Sequence, residues 1–213
     1  MAAKDTVIIY VFELDDKKTT DERLAIAAKR YCNEIGLQMQ TVPETDIFRV
    51  ARSERGKPYF PELPEVKVSV SHSGKYWICA CSRGEVGVDL QEHVRMQGES
   101  VEEATVRFRK MAHRFFHPVE ASFVDMDSYL RFFGVWAARE SFVKYTGQGI
   151  DATFSDHCVI LNEKNEWPRM DGSEEMESWS AEGAHFYEIR FQENYTLCVC
   201  TGENIQNHII LRI

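Results

Sequence analysis

Glu140 and Lys144 stand four residues apart in Trp136-Ala137-Ala138-Arg139-Glu140-Ser141-Phe142-Val143-Lys144-Tyr145, a stretch closed by Thr146-Gly147-Gln148-Gly149. Ala, Arg and Glu favour a helix, and the two glycines supply its stop. On a helix Trp136, Glu140 and Lys144 fall at i, i+4 and i+8 and share one face. Trp136 with Val143 turns that flank inward, which would carry an acid and a base towards the interior. The same spacing also describes a surface Glu–Lys pair, worth about 0.2–0.5 kcal/mol. A second acid weighs against that plainer reading. Asp89 lies in Gly87-Val88-Asp89-Leu90-Gln91, inside an apolar strand pattern. A buried carboxylate is costly unless it is paired, hydrogen-bonded or bound to a metal. An acid on a strand and another on a helix, brought together, would make an oxygen-ligand site for Mg²⁺.

Groups able to handle phosphate precede Asp89. Lys57 lies in Gly56-Lys57-Pro58, and His72 in Ser69-Val70-Ser71-His72-Ser73-Gly74. Hydroxyls, backbone N–H groups and an imidazole in a tight turn can bind phosphate oxygens. A single histidine beside a turn is more often structural, so this cluster alone carries little weight.

The elements that must position these groups follow from periodicity. Residues 6–12 form a dense β-branched and aromatic run, which predicts a strand buried on both faces. Asp15-Asp16-Lys17-Lys18 predicts a turn. Thr20-Asp21-Glu22 opens a helix that Gly36 ends, with Leu24, Ala27, Ala28 and Tyr31 as its apolar stripe. Gly56-Lys57-Pro58 with Pro61 and Pro64 marks an extended connector. Residues 66–71 predict a strand that His72-Ser73-Gly74 breaks. It resumes at 76–81 and turns through Ser82-Arg83-Gly84-Glu85 into the strand of Asp89. Residues 98–114 and 119–145 read as helical, interrupted at Phe115-Phe116-His117-Pro118 and with a break near Gly134. Residues 151–162 suggest a strand, Asn165-Glu166-Trp167-Pro168 a turn, 171–183 an acidic loop, and 184–192 with 195–201 a hairpin.

An internal duplication is visible. Tyr76-Trp77-Ile78-Cys79-Ala80-Cys81 matches Tyr195-Thr196-Leu197-Cys198-Val199-Cys200 in type, and Ala27-Ala28-Lys29 echoes Ala137-Ala138-Arg139. Chance similarity between two amphipathic hairpins is the alternative. The expected fold is α+β: two similar subdomains, each a helix packed on a small antiparallel sheet, related as a pseudo-twofold intramolecular dimer. The halves are expected at 1–93 and 94–213.

Composition bounds the function classes. At 213 residues and 44% hydrophobic, the chain suffices for one substantial domain or two small ones sharing a core. A net charge of −9 argues against a nucleic-acid binder, which needs a basic footprint. No apolar run approaches the roughly 18 residues needed to span a bilayer. The first residues lack the apolar segment of a signal peptide, so a cytoplasmic location is expected. None of the six cysteines forms a C-x-x-C pair. Those of each C-x-C pair lie on one face of a strand, as buried reduced thiols.

Taken in order, Gly56-Lys57-Pro58, Ser71-His72-Ser73, Gly87-Val88-Asp89 and Trp136-x-x-x-Glu140-Ser141-Phe142-x-Lys144 resemble the 4′-phosphopantetheinyl transferases. The likeness is to the larger, pseudo-dimeric branch that activates carrier proteins. Phe115-Phe116-His117-Pro118-Val119-Glu120 is similar to the family's Phe-Phe-x-x-x-Glu segment. The likeness is close over about residues 52–150, and four ordered motifs are a strong signal where any one would be weak. It implies transfer of phosphopantetheine from coenzyme A to a serine of an apo acyl or peptidyl carrier protein, with release of 3′,5′-ADP. By similarity Asp89 and Glu140 hold Mg²⁺, Glu140 is the base for the incoming serine, and Lys144 meets the pyrophosphate charge. His72, Ser71 and Lys57 would hold the nucleotide end, with Arg23 resembling the family's arginine at the first helix. Such chemistry needs mainly positioning and charge neutralisation.

The chain departs from the family in two places. Gln91 stands where many relatives carry a second acid; its amide oxygen can ligate Mg²⁺, directly or through water, but without charge, which implies weaker metal binding. The basic segment that relatives place before the first helix is not evident, and Lys17 with Lys18 reads better as a solvated turn. The carrier is expected to meet residues 94–120. There Phe108, Met111 and Phe115 are either an apolar contact or core, and Arg107, Arg109, Lys110 and Arg114 form the main basic cluster, which would steer an acidic helix. Two fused halves imply a monomer. Two other readings stand beside this one: a non-catalytic module that binds coenzyme A or a carrier, and an unrelated Mg²⁺-dependent nucleotide hydrolase.

Overall fold

The computed structural model describes residues 6–14, 17–37, 47–127, 129–151, 153–161, 166–170, 175–205 and 209–212. In chain order the elements are β1 (Val7–Glu13), α1 (Thr20–Glu34), β2 (Ala51–Arg52), β3 (Pro58–Tyr59), β4 (Lys67–Ser73), β5 (Tyr76–Ser82) and β6 (Val86–Glu92). There follow α2 (Val101–Phe115), α3 (Pro118–Asp125), α4 (Leu130–Thr146), β7 (Met176–Ala181), β8 (Ala184–Ile189), β9 (Tyr195–Thr201) and β10 (Ile209–Arg212). The class is α+β, as the sequence predicts. One sheet has the order β10-β1-β5-β4 and another the order β6-β9-β8-β7, while β2 and β3 form a small ribbon. Pairing is antiparallel except between β1 and β10.

Helix starts obey local chemistry. Thr19 with Glu22 and Ser100 with Glu103 form reciprocal capping boxes at α1 and α2, each satisfying backbone donors that a helix leaves orphaned. Gly147 ends α4 in the left-handed region at φ 71°, which a glycine enters without steric cost.

The core has three slabs. Ile8, Tyr10, Trp77, Cys79 and Cys81 face Leu24, Ala27, Ala28 and Tyr31 of α1. Val7, Ile9, Val11, Ile78 and Ala80 face Val88, Leu90, Leu197 and Val199 of the second sheet. Cys198, Cys200 and Phe186 face the Ala137–Ala138 pair and the aromatic residues of α2 to α4. The order is therefore α1, sheet, sheet, α2–α4, and β1 is buried on both faces.

Two strands cross between the halves bounded at residue 93. β6 pairs with β9, and β10 returns to pair with β1. Between β4 and β6 the seam is made by side chains. The hydroxyls of Ser69, Ser71 and Ser73 accept from the backbone N–H groups of Val88 (3.0 Å), Leu90 (3.2 Å) and Glu92 (2.9 Å). β4 therefore continues through Ser73, past the break expected at His72.

Other expectations need correction. Residues 151–161 form turns among the described positions. The Thr153 amide and hydroxyl both donate to the Asp151 carboxylate, at 2.9 and 2.6 Å, and Phe154 N–H donates to the Asp151 carbonyl at 3.1 Å. Local bonding of that kind competes with a strand ladder. The stretch expected as an acidic loop contains β7, whose Trp179 and Ala181 are buried. Its turn to β8 places Glu182 and Gly183 at φ 51° and 70°, the paired positive φ of a tight hairpin. Gly134 does not break a helix but lies within α4, where an added Cβ would meet the Met170 sulfur at 3.1 Å. The break falls before Leu130. Asp15, Asp16, Asn165 and residues 171–174 lie outside the described residues.

At Gly87 a Cβ would stand 1.8 Å from the Ser141 carbonyl oxygen and 2.5 Å from the Tyr145 nitrogen, both backbone atoms of α4. Gly87→Ala should therefore push α4 off β6 and cost at least about 1–3 kcal/mol, the usual range for overpacking. Urea denaturation checks it; a wild-type midpoint would show that the helix and strand are not in this contact.

Candidate active site

Gly87 lets the α4 backbone reach β6, and that approach sets Asp89 beside the last turns of the helix. Asp89 is 2% exposed. Its Oδ1 accepts from Lys144 Nζ at 2.6 Å and from the Ser71 hydroxyl at 2.8 Å, and its Oδ2 accepts from Gln91 Nε2 at 2.7 Å. Strand β6 supplies the acid, α4 the ammonium and β4 the hydroxyl. Three elements thus meet on one carboxylate.

Glu140 is the other acid. It is half-buried and makes no hydrogen bond or ion pair to another described residue. Burial pushes its carboxyl above the ordinary range, the neighbouring Asp89 charge pushes it the same way, and Lys144 opposes both. An unpartnered, half-buried carboxylate repelled by a second carboxylate is a place where a cation relieves stress. Among the described residues no group of three or more His, Cys, Asp or Glu gathers. A cation here would rest on two carboxylates, the Gln91 amide oxygen and its own waters. Mg²⁺ suits such a set, because it keeps several waters and takes only one or two protein carboxylates. The Gln91 nitrogen faces Asp89, so ligation through its oxygen requires the amide to turn over.

Beyond Lys144 lies a cavity of about 200 Å³ lined by the cations Arg55, Lys57 and Lys144 together with Gly56, Ser69 and Gly147. Lys57 Nζ donates to Glu85 Oε2 at 2.8 Å and to the Tyr145 carbonyl at 3.0 Å. Arg55 donates to the Gln148 carbonyl and pairs with Asp151 at 3.3 Å. The connector before β3 is thereby fastened to the C-terminal end of α4.

The sequence-predicted residues divide. Asp89, Gln91, Ser71 and Lys144 are joined in one hydrogen-bonded group, Glu140 faces it, and Lys57 shares the cavity with Lys144. His72 is exposed on β4 opposite Trp77, on the α1 side of its sheet, away from the face that carries Ser71. Arg23 is buried on that side, its guanidinium 6.0 Å from the Trp77 ring centroid.

The outer face of α2 carries a groove of about 620 Å³, lined by Val106, Lys110, Met111, Arg114 and Phe115 with Glu102, Glu103 and Arg107. Phe108 belongs to the core, whereas Phe115 is 38% exposed. The basic cluster divides too. Arg107 holds Glu99 with two bonds of 2.7 and 2.8 Å, and Arg109 caps the carbonyls of Asp125 and Asp127 at 2.7 and 3.0 Å. Lys110 and Arg114 are exposed.

Sequence reasoning missed a buried pair next to the site. Glu120, at the start of α3, is fully buried and bonded to Arg139, the residue before Glu140. Its second oxygen accepts from Val159 N–H at 2.8 Å, and Arg139 donates to the His157 carbonyl at 2.8 Å. The i to i+19 separation hides the pairing in sequence, although Glu120 closes the segment Phe115-Phe116-His117-Pro118-Val119-Glu120. His93 was also passed over. Burial pushes its imidazole down to about 4, and it bonds Thr196 Oγ1 at 2.8 Å.

A family model described as the 4′-phosphopantetheinyl transferase superfamily matches residues 85–200, more than half of the chain. A 4′-phosphopantetheinyl transferase of Bacillus subtilis is 30% identical over 115 residues, 52% of this chain and 46% of the relative. The 4′-phosphopantetheinyl transferase gsp of Aneurinibacillus migulanus is 29% identical over 132 residues, 60% of this chain and 49% of the relative. The L-aminoadipate-semialdehyde dehydrogenase-phosphopantetheinyl transferase of Xenopus laevis is 25% identical over 202 residues, 87% of this chain and 64% of the relative. The chain spans about half the length of the bacterial relatives it matches. Asp89, Gln91, Glu140 and Lys144 fall inside the matched region; Arg23, Lys57, Ser71 and His72 precede it.

The Glu120–Arg139 pair generates a stability prediction. Arg139→Met leaves a buried carboxylate without its cation and should cost about 3–5 kcal/mol. Combining it with Glu120→Gln removes the stranded charge while keeping an acceptor for Val159, so much of the loss should return. Strictly additive losses in urea denaturation would show that the two charges do not act on one another.

Proposed function

The chain belongs to the 4′-phosphopantetheinyl transferase superfamily, and from that premise we propose that it moves 4′-phosphopantetheine from coenzyme A to a serine of an apo acyl or peptidyl carrier protein, releasing 3′,5′-ADP. The observation that carries this reading is the unpartnered Glu140 carboxylate facing the Asp89–Lys144 pair at the edge of a cationic cavity. Glu140 accepts the proton of the incoming serine hydroxyl. The serine oxygen bonds to the phosphorus that bears the pantetheine, and the bond from that phosphorus to the bridging oxygen breaks. Lys144 meets the negative charge left on the departing 3′,5′-ADP, and Lys57 with Ser71 serves the nucleotide end, which His72 and Arg23 would reach only from the α1 side of the sheet. Bound Mg²⁺, held by Asp89, Glu140 and the Gln91 amide oxygen, would neutralise charge across the pyrophosphate. Because Gln91 brings no charge of its own, this chain should hold the metal less tightly than a relative with a carboxylate there.

The pseudo-twofold relation of the halves 1–93 and 94–213 is part of the same reading. Its support is positional. β5 lies between β1 and β4 as β9 lies between β6 and β8. Tyr10 stands opposite Cys79 as Asp89 stands opposite Cys198. The Tyr10 hydroxyl donates to Glu34 of α1 at 3.1 Å, where Lys144 of α4 donates to Asp89 at 2.6 Å. The unbridged cysteines and the lack, among the described residues, of a helix long and apolar enough to cross a membrane agree with work in the cytoplasm, where coenzyme A and carrier proteins meet.

Intact mass of an apo carrier protein incubated with this chain, coenzyme A and Mg²⁺ tests the reading. A phosphopantetheine gain is expected, slowed about 10²–10⁴-fold by Glu140→Ala and lost in Asp89→Ala. No gain with several carriers, while coenzyme A still binds, would leave a binding module instead of an enzyme.

The α2 groove is where the carrier's acidic helix is proposed to dock, through Val106, Met111 and Phe115 with Lys110 and Arg114 at the rim. Lys110→Glu with Arg114→Glu should raise the KM for carrier about two- to tenfold at low salt and leave that for coenzyme A unchanged. Equal shifts in both constants would remove the groove from the docking surface.

A further inference from the structure

Each cation lining the small cavity already has an acid. Lys144 is paired with Asp89 and Arg55 with Asp151, both accounted for by the metal site and by the fastening of the connector to α4. The third, Lys57, is paired with Glu85, which neither the chemistry nor the packing calls for. Glu85 follows the Ser82-Arg83-Gly84 turn, is half exposed, and is held from both sides. Its Oε2 lies 2.8 Å from Lys57 Nζ and its Oε1 3.4 Å from Lys67 Nζ. Glu85 does not line the cavity, but an acid paired with one of its cations opposes an anion that the cavity is to bind.

We propose that Glu85 is a positioning residue that sets the pocket's affinity for the nucleotide end of coenzyme A by holding Lys57 in a competing ion pair. The proposal rests on the transferase reading above. Lys57 has three N–H donors; Glu85 and the Tyr145 carbonyl take two. An incoming phosphate either takes the third donor beside a carboxylate, with the charge of Lys57 half spent, or displaces Glu85. Both routes cost affinity relative to an uncharged side chain at position 85. Lys57 itself stays in place without Glu85, because the Tyr145 carbonyl at the end of α4 still accepts from it. Lys67 does not line the cavity and anchors Glu85 at its other oxygen. Burial alone pushes the Glu85 carboxyl up, but Lys57 and then Lys67 outweigh it, so the acid is held below its ordinary range and is charged when the ligand arrives. A brake of this kind has a use in a transferase: 3′,5′-ADP keeps the nucleotide end of coenzyme A, and a pocket that gripped it too well would slow product release.

The test is titration calorimetry of 3′,5′-ADP into the full chain at low salt, for the wild type, Glu85→Gln, Lys57→Gln and the double variant. Glu85→Gln should tighten Kd about two- to fivefold, the range of a partly exposed ion pair. The gain should shrink at high salt and vanish when Lys57 is already Gln. In turnover the same substitution should lower the KM for coenzyme A without raising kcat. Equal or weaker binding by Glu85→Gln, or a gain that survives the loss of Lys57, overturns the proposal. If the wild type binds neither 3′,5′-ADP nor coenzyme A, the transferase reading fails and this inference with it.

Discussion

The constraint on which the rest of the structure depends is a carboxylate that cannot be left alone. Asp89 lies in the middle of a strand whose neighbours Val88 and Leu90 are in the slab between the two sheets, with almost no access to water. Unpaired at that depth its charge would be prohibitively costly. The fold answers with a donor from each side: an ammonium from α4, a hydroxyl from β4 and an amide from its own strand. The first two tie α4 and β4 to β6, so satisfying one acid also fixes how these elements meet.

That requirement explains the form of the seam. A sheet closed by a backbone ladder from β4 to β6 would bring the strands to about 4.8 Å and leave no room for side-chain chemistry between them. The alternating serines of β4 replace the carbonyl acceptors of such a ladder by hydroxyls, which satisfy β6 amides at a wider spacing. A hydroxyl, unlike a carbonyl, can also donate, and Ser71 uses that freedom to reach Asp89 while accepting from Leu90. Its observed part is in the seam, and the nucleotide contact proposed for it would have to be made from that same position.

Much of this was legible in the chain. The run at 6–12, the Ala pairs of the two helices and the matching C-x-C strands announced their elements, because each has a period and a composition that local sterics make decisive. Asp89 announced itself by standing where charge is out of place, whereas Glu140 and Lys144 also fitted a surface pair and stood out only beside Asp89 and the ordered motifs. What escaped was non-local. Glu120 and Arg139 are nineteen residues apart and meet only through the angle between α3 and α4. β7 was hidden by acidic neighbours, since one buried face needs only Trp179 and Ala181 to qualify as a strand. Gly134 was misread because a glycine in a helix signals a break, unless a neighbour comes close enough to forbid a Cβ, and that neighbour, Met170, is far along the chain.

Two strand-to-helix contacts in this fold differ in what could replace them. β1 sets a phenol against a carboxylate on α1, Tyr10 to Glu34, and β6 sets a carboxylate against an ammonium on α4, Asp89 to Lys144. Burial pushes the Tyr10 hydroxyl far above its ordinary range, with Glu34 adding to it, so that group keeps the proton it donates to Glu34. In the second contact both partners are charged, so under the proposed chemistry Asp89 would turn to a metal ion and Lys144 to a phosphate oxygen. Glu140 beside them has no hydrogen bond or ion pair to give up among the described residues. The first contact is therefore a strut, while the second is one that the proposed chemistry would trade for a substrate, and the difference rests on the polarity of two side chains.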